Sequence, residues 1–309
     1  MRRGSRNGDA SEAFFMRNGR LIRRFRIDNP RRFRLADHDP AETAGFEKDV
    51  AESITLAHVQ RMTDLQQRLY AQHSWALLII LQGVDAAGKD SAIKRVMVGL
   101  NPQGCVVHPF KVPTAEELDH DFLWRAARRL PPRGDIGIFN RSYYEEVLVV
   151  RVHQEQLKAQ RLPPGLVTRR IWDERFADVN AFERYLLRNG TALIKFHLRI
   201  SKEEQRRRLL ARLNDPSKVW KASMADVAER KLWTKHMVAY EDAIRNTSTP
   251  EAPWYVVPAD HKWFARMLIA TVIVDVLDRL HLDFPKLDRA GQRQIQRMRD
   301  ALRAGWSVK

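Results

Sequence analysis

Residues 75–95 read WALLIILQGVDAAGKDSAIKR, and this stretch decides the fold. An apolar run from Trp75 to Leu81 meets Gly83-Val84-Asp85-Ala86-Ala87-Gly88-Lys89, which matches G-x-x-x-x-G-K, the phosphate-binding loop. Gly83 and Gly88 let the chain turn tightly, so that backbone N–H groups around Ala86 and Ala87 can approach phosphate oxygens. Lys89 adds a cation for the outer phosphates. The helix expected from Asp90 points its N-terminal dipole at the same place. A buried strand before the loop and an amphipathic helix after it distinguish the motif from a chance glycine-rich turn.

Two features of the loop are unusual. Asp90 stands where Ser or Thr normally ligates Mg²⁺. Asp85 puts a carboxylate inside a cradle for anions, where repulsion from phosphate is costly unless a cation lies between them. Asp85 is therefore expected to ligate a metal or to act as a base beside the attacking oxygen. A solvated turn aspartate is the plainer reading.

Outward from the loop, apolar strand signals alternate with helical periodicity. Strands are expected over 76–82, 105–110, 136–139, 191–200 and 254–257. Helices are expected over 46–72, 90–99, 114–130, from about 143, and over 171–188, 225–246 and 261–280. Capping boxes open the helices at Thr114 and Ser201. This alternation implies an α/β fold with a five-stranded parallel sheet and helices on both faces. Ligands then bind at the carboxyl ends of the strands. That edge collects the phosphate loop, Asn140-Arg141 after strand three and Pro258-Ala259-Asp260 after strand five.

Strand three of many phosphate-loop enzymes ends in an Asp that holds Mg²⁺. Here it ends in Asn140, followed by Arg141, whose fork matches phosphate oxygens. Glu145 and Glu146, one turn on, could restore the missing charge, although a solvated helix start is the alternative. After strand four come Arg206, Arg207, Arg208 and Arg212, then Lys218 and Lys221. In nucleotide kinases this segment is a lid that closes over the transferred group. Arg208 and Arg212 share a helix face at i and i+4.

Bulk properties bound the class. The chain has 309 residues, 44% of them hydrophobic, and a net charge of +16. No apolar run approaches the ~20 residues that span a bilayer. The N-terminus has no apolar signal core. Cys105 is the only cysteine, which excludes an internal disulfide and a cysteine zinc site and fits a cytoplasmic location. Residues 1–34 hold eleven Arg against three Asp or Glu. A basic excess of this kind implies a polyanionic partner. Residues 1–12 read as disordered, and residues 13–45 read as an extended basic arm.

The chain resembles the family-2 polyphosphate kinases. The resemblance is carried by Gly83 to Asp90, Asn101-Pro102-Gln103-Gly104, Leu118 to Arg125 and Asn140-Arg141-Ser142-Tyr143-Tyr144-Glu145. Glu203-Glu204-Gln205, Arg207-Arg208, Asp215-Pro216, Trp220-Lys221 and Ala259-Asp260-His261-Lys262-Trp263 extend it, in order, over about residues 35–280. It implies a thymidylate-kinase-like P-loop fold with a helical lid near 203–235. The implied reaction is Mg²⁺-dependent phosphoryl transfer between inorganic polyphosphate and nucleotides. The family's common Asp-Arg-Ser-Trp-Tyr-Asn-Arg appears here as Asn140 to Glu146, a departure that resembles the branch accepting both nucleoside mono- and diphosphates.

The resemblance implies that Asp85 handles metal and substrate, that Lys89 binds phosphate and that Arg141 contacts phosphate at the reaction centre. With Asn140 and Glu145 from the reading of strand three, these are the expected catalytic set, with Asp85 and Glu145 as metal ligands. Gly83, Ala86, Ala87, Gly88, Asp90, Lys94, Arg208, Arg212 and Lys221 are expected on the phosphate chain, and Lys111 and Arg125 on the nucleotide. The domain is expected over 46–285, with a helical tail over 286–309. A homo-oligomer is expected, with no membrane or nucleic-acid partner. Two other readings compete. An ATP-dependent kinase would need a purine clamp, and none is visible. A nucleic-acid-binding protein would suit the basic arm but lacks interleaved aromatic and basic residues.

Overall fold

The computed structural model describes residues 19–221 and 223–304; the stretch 1–12 lies outside them. Five strands, β1 (Ala76–Gln82), β2 (Cys105–Pro109), β3 (Ile136–Asn140), β4 (Thr191–Arg199) and β5 (Trp254–Pro258), form one sheet. All pairs are parallel and the order is β2-β3-β1-β4-β5. The chain leaves β1 toward one edge and later returns to its other side at β4. The loop after β1 therefore sits where successive connections diverge, the crevice in which open parallel sheets bind ligands.

Both faces of the sheet are covered. Leu77, Ile79 and Leu81 of β1 join a core with the Lys48–Gln72, Lys89–Val96 and Lys262–Arg279 helices. Leu78 and Ile80 face the opposite core, under the Glu145–Val152, Ile171–Arg188 and Trp233–Thr247 helices. This two-sided burial explains why β1 is an uninterrupted apolar run rather than an alternating one.

The expected basic arm is partly core. Residues 19–25 are helical, and Leu21, Ile22, Phe25, Ile27, Phe33 and Leu35 are buried. Ile27 N donates to Trp254 O at 2.9 Å, which hangs this segment on β5. The arginines between these apolar positions obscure the pattern in the sequence.

Three helices differ from expectation. The stretch expected as one helix over 114–130 is two short ones, Ala115–Leu118 and Trp124–Ala127. Asp121 causes the break, since its Oδ1 accepts from Leu123 N at 2.9 Å and Trp124 N at 3.1 Å and so caps a fresh helix start. The helix expected over 225–246 divides at Leu232 into Met224–Lys231 and Trp233–Thr247. The Thr114 capping box is complete, whereas the Ser201 box is half formed. Glu204 turns to Arg207 and Arg208, each at 2.6 Å, and Asp260 Oδ1 accepts from Ser201 N at 2.8 Å instead.

The C-terminal Arg289–Arg303 helix is solvated, with no buried residue. Among the described residues, no helix is long and apolar enough to cross a membrane.

Candidate active site

The loop after β1 is built by close backbone approach. A Cβ on Gly83 would lie 2.9 Å from Leu198 O of β4, so only glycine fits there. Gly88 takes φ +108°, a conformation costly for any residue with a Cβ, and caps the Lys89–Val96 helix. Ala86 also has positive φ, at 62°. The loop and helix start form one wall of an open cleft of about 580 Å³ at the carboxyl edge of the sheet.

Eight Lys or Arg side chains line this cleft against two carboxylates, Asp85 and Asp90. Lys89 is buried, and its Nζ donates to Gly83 O at 2.6 Å and Val84 O at 3.3 Å. Burial, helped by the neighbouring Arg141 cation, lowers its pKa to about 8. Arg141, directly after β3, has φ +64°. Its Nη2 donates to Asp85 Oδ1 at 2.5 Å and its Nη1 to Glu145 Oε2 at 3.1 Å. The Glu145 carboxylate, with help from Asp85, raises the Arg141 pKa against the opposing effect of burial and so keeps the guanidinium charged.

The strained turn at Arg141 is held from below. Tyr143 and Tyr144 are fully buried, and both hydroxyls donate to Glu183 Oε1, at 2.9 and 2.7 Å. Lys195 of β4 closes this network, donating to Glu183 Oε2 at 2.5 Å and Thr247 O at 2.7 Å. A buried ion pair satisfied this completely contributes placement more than net stability. Burial raises both tyrosine pKa values well above the usual range.

Several expected residues converge on the cleft. Asp85, Ala86, Ala87, Gly88, Lys89, Asp90, Lys111, Asn140, Arg141, Arg208 and Arg212 all line it. Asn140 Nδ2 donates to Asp90 Oδ1 at 2.8 Å, joining the end of β3 to the start of the loop helix. Gly83 lies at the base of the loop behind this wall. Arg208 lines the cleft but is already used. Its Nη1 donates to Ala87 O at 2.8 Å and Ala86 O at 3.1 Å, its Nε to Glu204 at 2.6 Å, and its Nη2 to Ala259 O. It ties the lid helix Lys202–Leu213 to the back of the loop. Arg212 Nη1 pairs with Asp226 Oδ2 of the return helix at 3.1 Å.

Other expected residues stand apart. Glu145 is buried behind Arg141 and does not line the cleft; in the amide orientation that satisfies both ends of Gln82, its Oε1 accepts from that residue at 2.9 Å. Glu146 faces the other way, toward Arg175 at 3.4 Å and Gln160 at 2.5 Å. Arg125 lies in an adjoining pocket with Glu146 and Arg175, and its Nη1 donates to Lys111 O at 2.8 Å. Lys94 is exposed, beyond the cleft lining. Lys221 falls in the turn Val219–Lys221, and its side chain lies outside the described part.

Sequence reasoning assigned no role to Lys262 or Ser91 and placed Arg207 and Lys218 only on the lid; all four line the cleft. Lys262 follows the β5 edge segment and faces Arg208. Burial and that cation lower its pKa. Its position two residues after Asp260, on the ligand edge, was the available signal.

The family model described as polyphosphate kinase 2 matches residues 45–285. An ADP-polyphosphate phosphotransferase of Rhodopseudomonas palustris is 46% identical, covering 82% of this chain and 89% of that protein. An AMP/ADP-polyphosphate phosphotransferase of Meiothermus ruber is 41% identical, covering 89% and 99%. The crystal structure of polyphosphate kinase 2 from Arthrobacter aurescens TC1 superposes with a TM-score of 0.80 at 40% identity, covering 89% of this chain and 95% of that one.

Proposed function

Because the chain belongs to the polyphosphate kinase 2 family and is a polyphosphate:nucleotide phosphotransferase, we propose that it works with Mg²⁺ on both nucleoside mono- and diphosphates, taking AMP to ADP and ADP to ATP. The observation that carries this reading is the open cleft at the sheet edge, with eight cationic side chains against two carboxylates. A polyphosphate chain has about one charge per phosphate and needs a long cationic surface. A compact neutral substrate would not.

The donor set suits Mg²⁺. Asp85 and Asp90 offer hard carboxylate oxygens on the cleft wall, and Asn140, bonded to Asp90, adds an amide beside them. Asp85 and Asp90, with Asn140 beside them, would hold such an ion, which would supply positive charge against the charge that builds up on the phosphate during transfer.

The remaining work falls to the chain. Incoming phosphate replaces the Gly83 and Val84 carbonyls as acceptors for Lys89. It also competes with Asp85 for Arg141, so substrate entry opens the Arg141–Asp85 pair and frees that carboxylate for metal or proton. Glu145 keeps Arg141 charged and aimed during the exchange. Arg207, Arg212 and Lys218 on the lid supply cations for the rest of the polyanion, while Arg208 fixes the loop. Such positioning, with electrostatic stabilisation, is the main contribution a protein makes to phosphoryl transfer.

The same reading places the protein in the cytoplasm, consistent with its single cysteine, Cys105. It also has the chain self-associate. Val106 and Val107 on edge strand β2, and Met298 and Leu302 on the tail helix, are exposed apolar groups that a second copy would cover. Light scattering tests the assembly.

The deciding assay supplies AMP or ADP with long-chain polyphosphate and Mg²⁺, without ATP. Formation of ADP and ATP is expected from both acceptors. Product from an ATP donor alone, with polyphosphate inert, would replace this reading with an ATP-dependent kinase.

A further inference from the structure

Away from the cleft, three side chains that phosphoryl transfer does not use converge on one point. His153 lies between the Glu145–Val152 and Gln154–Ala159 helices, Glu229 on Met224–Lys231 and His236 on Trp233–Thr247. Glu229 Oε1 is 2.9 Å from His153 Nε2, and Glu229 Oε2 is 2.8 Å from His236 Nε2. One ligand atom from each of the three lies within 4.8 Å of the others. We propose that His153, Glu229 and His236 form a zinc site that pins the lid's return helix to the core.

The donor chemistry selects the ion. Two imidazole nitrogens and one carboxylate, with a fourth position left for water, suit Zn²⁺. Mg²⁺ prefers an octahedron of oxygens, so this site does not duplicate the phosphate loop's donors. Zn²⁺ bonds of about 2.0–2.1 Å put tetrahedral ligand atoms about 3.3 Å apart, so the ion needs the bonded pairs to part by only about half an ångström.

A supporting group already orients one ligand. Glu155 Oε1 is 3.2 Å from His153 Nδ1. Both ring nitrogens of His153 therefore face carboxylates, while a neutral ring carries only one N–H. An ion on Nε2, with Nδ1–H donating to Glu155, satisfies both sides at once, the carboxylate–histidine–metal arrangement found around bound zinc.

The backbone brings the ligands together by the break at Leu232. In one continuous helix, Glu229 and His236 would be about 10 Å apart along the axis. The division at Leu232 interrupts that axis, and the Glu229 and His236 side chains meet across it, at 2.8 Å. The consequence is mechanical. The return helix is already bonded to the lid helix through Arg212–Asp226 and through Arg230 Nη1 to Lys202 O at 2.5 Å. Zinc would join this pair to the helix that begins at Glu145, the partner of Arg141.

The test uses the tag-free full chain, stripped with chelator and held in excess Mg²⁺ so that the loop carboxylates are occupied. Co²⁺ is titrated in as a spectroscopic stand-in, followed by Zn²⁺. One equivalent of Co²⁺ should give a tetrahedral visible band that Zn²⁺ displaces. His236→Ala and Glu229→Gln should lose the band, and Glu155→Gln should weaken binding about tenfold. Should those variants fail to fold, the wild-type melting temperature decides, since binding to the folded state must raise it. Absence of both the band and the melting shift in the wild type overturns the proposal. So does a band that survives in folded His153→Ala or His236→Ala.

Discussion

Arg141 Nη2 donates to Asp85 Oδ1 across 2.5 Å, joining the end of β3 to the phosphate loop after β1. The pair thus ties a cation of the cleft wall to a carboxylate of the phosphate loop. Under the proposed function, a polyanion arriving with its counter-ion would compete for both groups at once.

Asp85→Asn separates these roles. It removes the charge and keeps the shape, so Arg141 is freed while the carboxylate is lost. Turnover should fall by about 100-fold or more, as for loss of one transition-state charge contact. The Mg²⁺ concentration for half-maximal rate should rise. Full activity with an unchanged Mg²⁺ requirement would make Asp85 a turn residue only.

Glu145→Gln should behave differently. Both oxygens of Glu145 are spent on Arg141 and Gln82, and the side chain is off the cleft wall. The expected result is a turnover loss of about tenfold through a loosened Arg141, with Mg²⁺ dependence preserved. A shifted Mg²⁺ requirement would make Glu145 a metal ligand after all.

The pH profile should report Lys89. Burial first, then Arg141, hold its pKa down to about 8 in the free protein. Phosphate binds the charged form. Hence kcat/KM for polyphosphate should be flat below this pH and fall as pH rises through it, approaching about tenfold per unit. The limb in kcat should lie at higher pH, because bound phosphate stabilises the ammonium. Lys89→Arg should remove the inflection, and Lys89→Ala should cost about 100-fold, or about 2.7 kcal/mol. A kcat/KM profile without a limb near that pH would take Lys89 out of substrate binding.

Deleting residues 1–34 should unfold the protein rather than merely weaken polyanion binding. The deletion removes Leu21, Ile22, Phe25, Ile27 and Phe33, all buried. Each such side chain contributes about 1.5–3 kcal/mol on burial. Thermal melting should drop by more than about 10 °C, or the protein should precipitate. An unchanged melting temperature would contradict the packing of this segment on β5.

Arg208→Lys should act as a loop mutation. Lysine keeps the charge but cannot donate to Glu204, Ala87 and Ala259 together. KM for both substrates should rise with a lower melting temperature. A change confined to polyphosphate KM would make Arg208 a direct phosphate ligand.

By itself, the sequence determined the sheet and the place of the site. The strands are short apolar runs buried on both faces, and the phosphate loop is a local motif whose glycines are demanded by backbone geometry within a few residues. Such signals are written in neighbouring positions, and so strand order and motif alone bring Asp85, Lys89, Asn140 and Arg141 to one edge of the sheet. The tertiary structure alone decided how charges were shared. Whether Arg208 serves phosphate or loop carbonyls, whether Glu145 faces a metal or Arg141, and which way Glu146 turns all depend on groups from distant segments. The same holds for the apolar stripe hidden among the arginines of residues 19–35, and for the break at Leu232 that lets Glu229 meet His153 and His236. A charged side chain takes the partner that relieves its burial, and that partner is set by packing rather than by spacing along the chain.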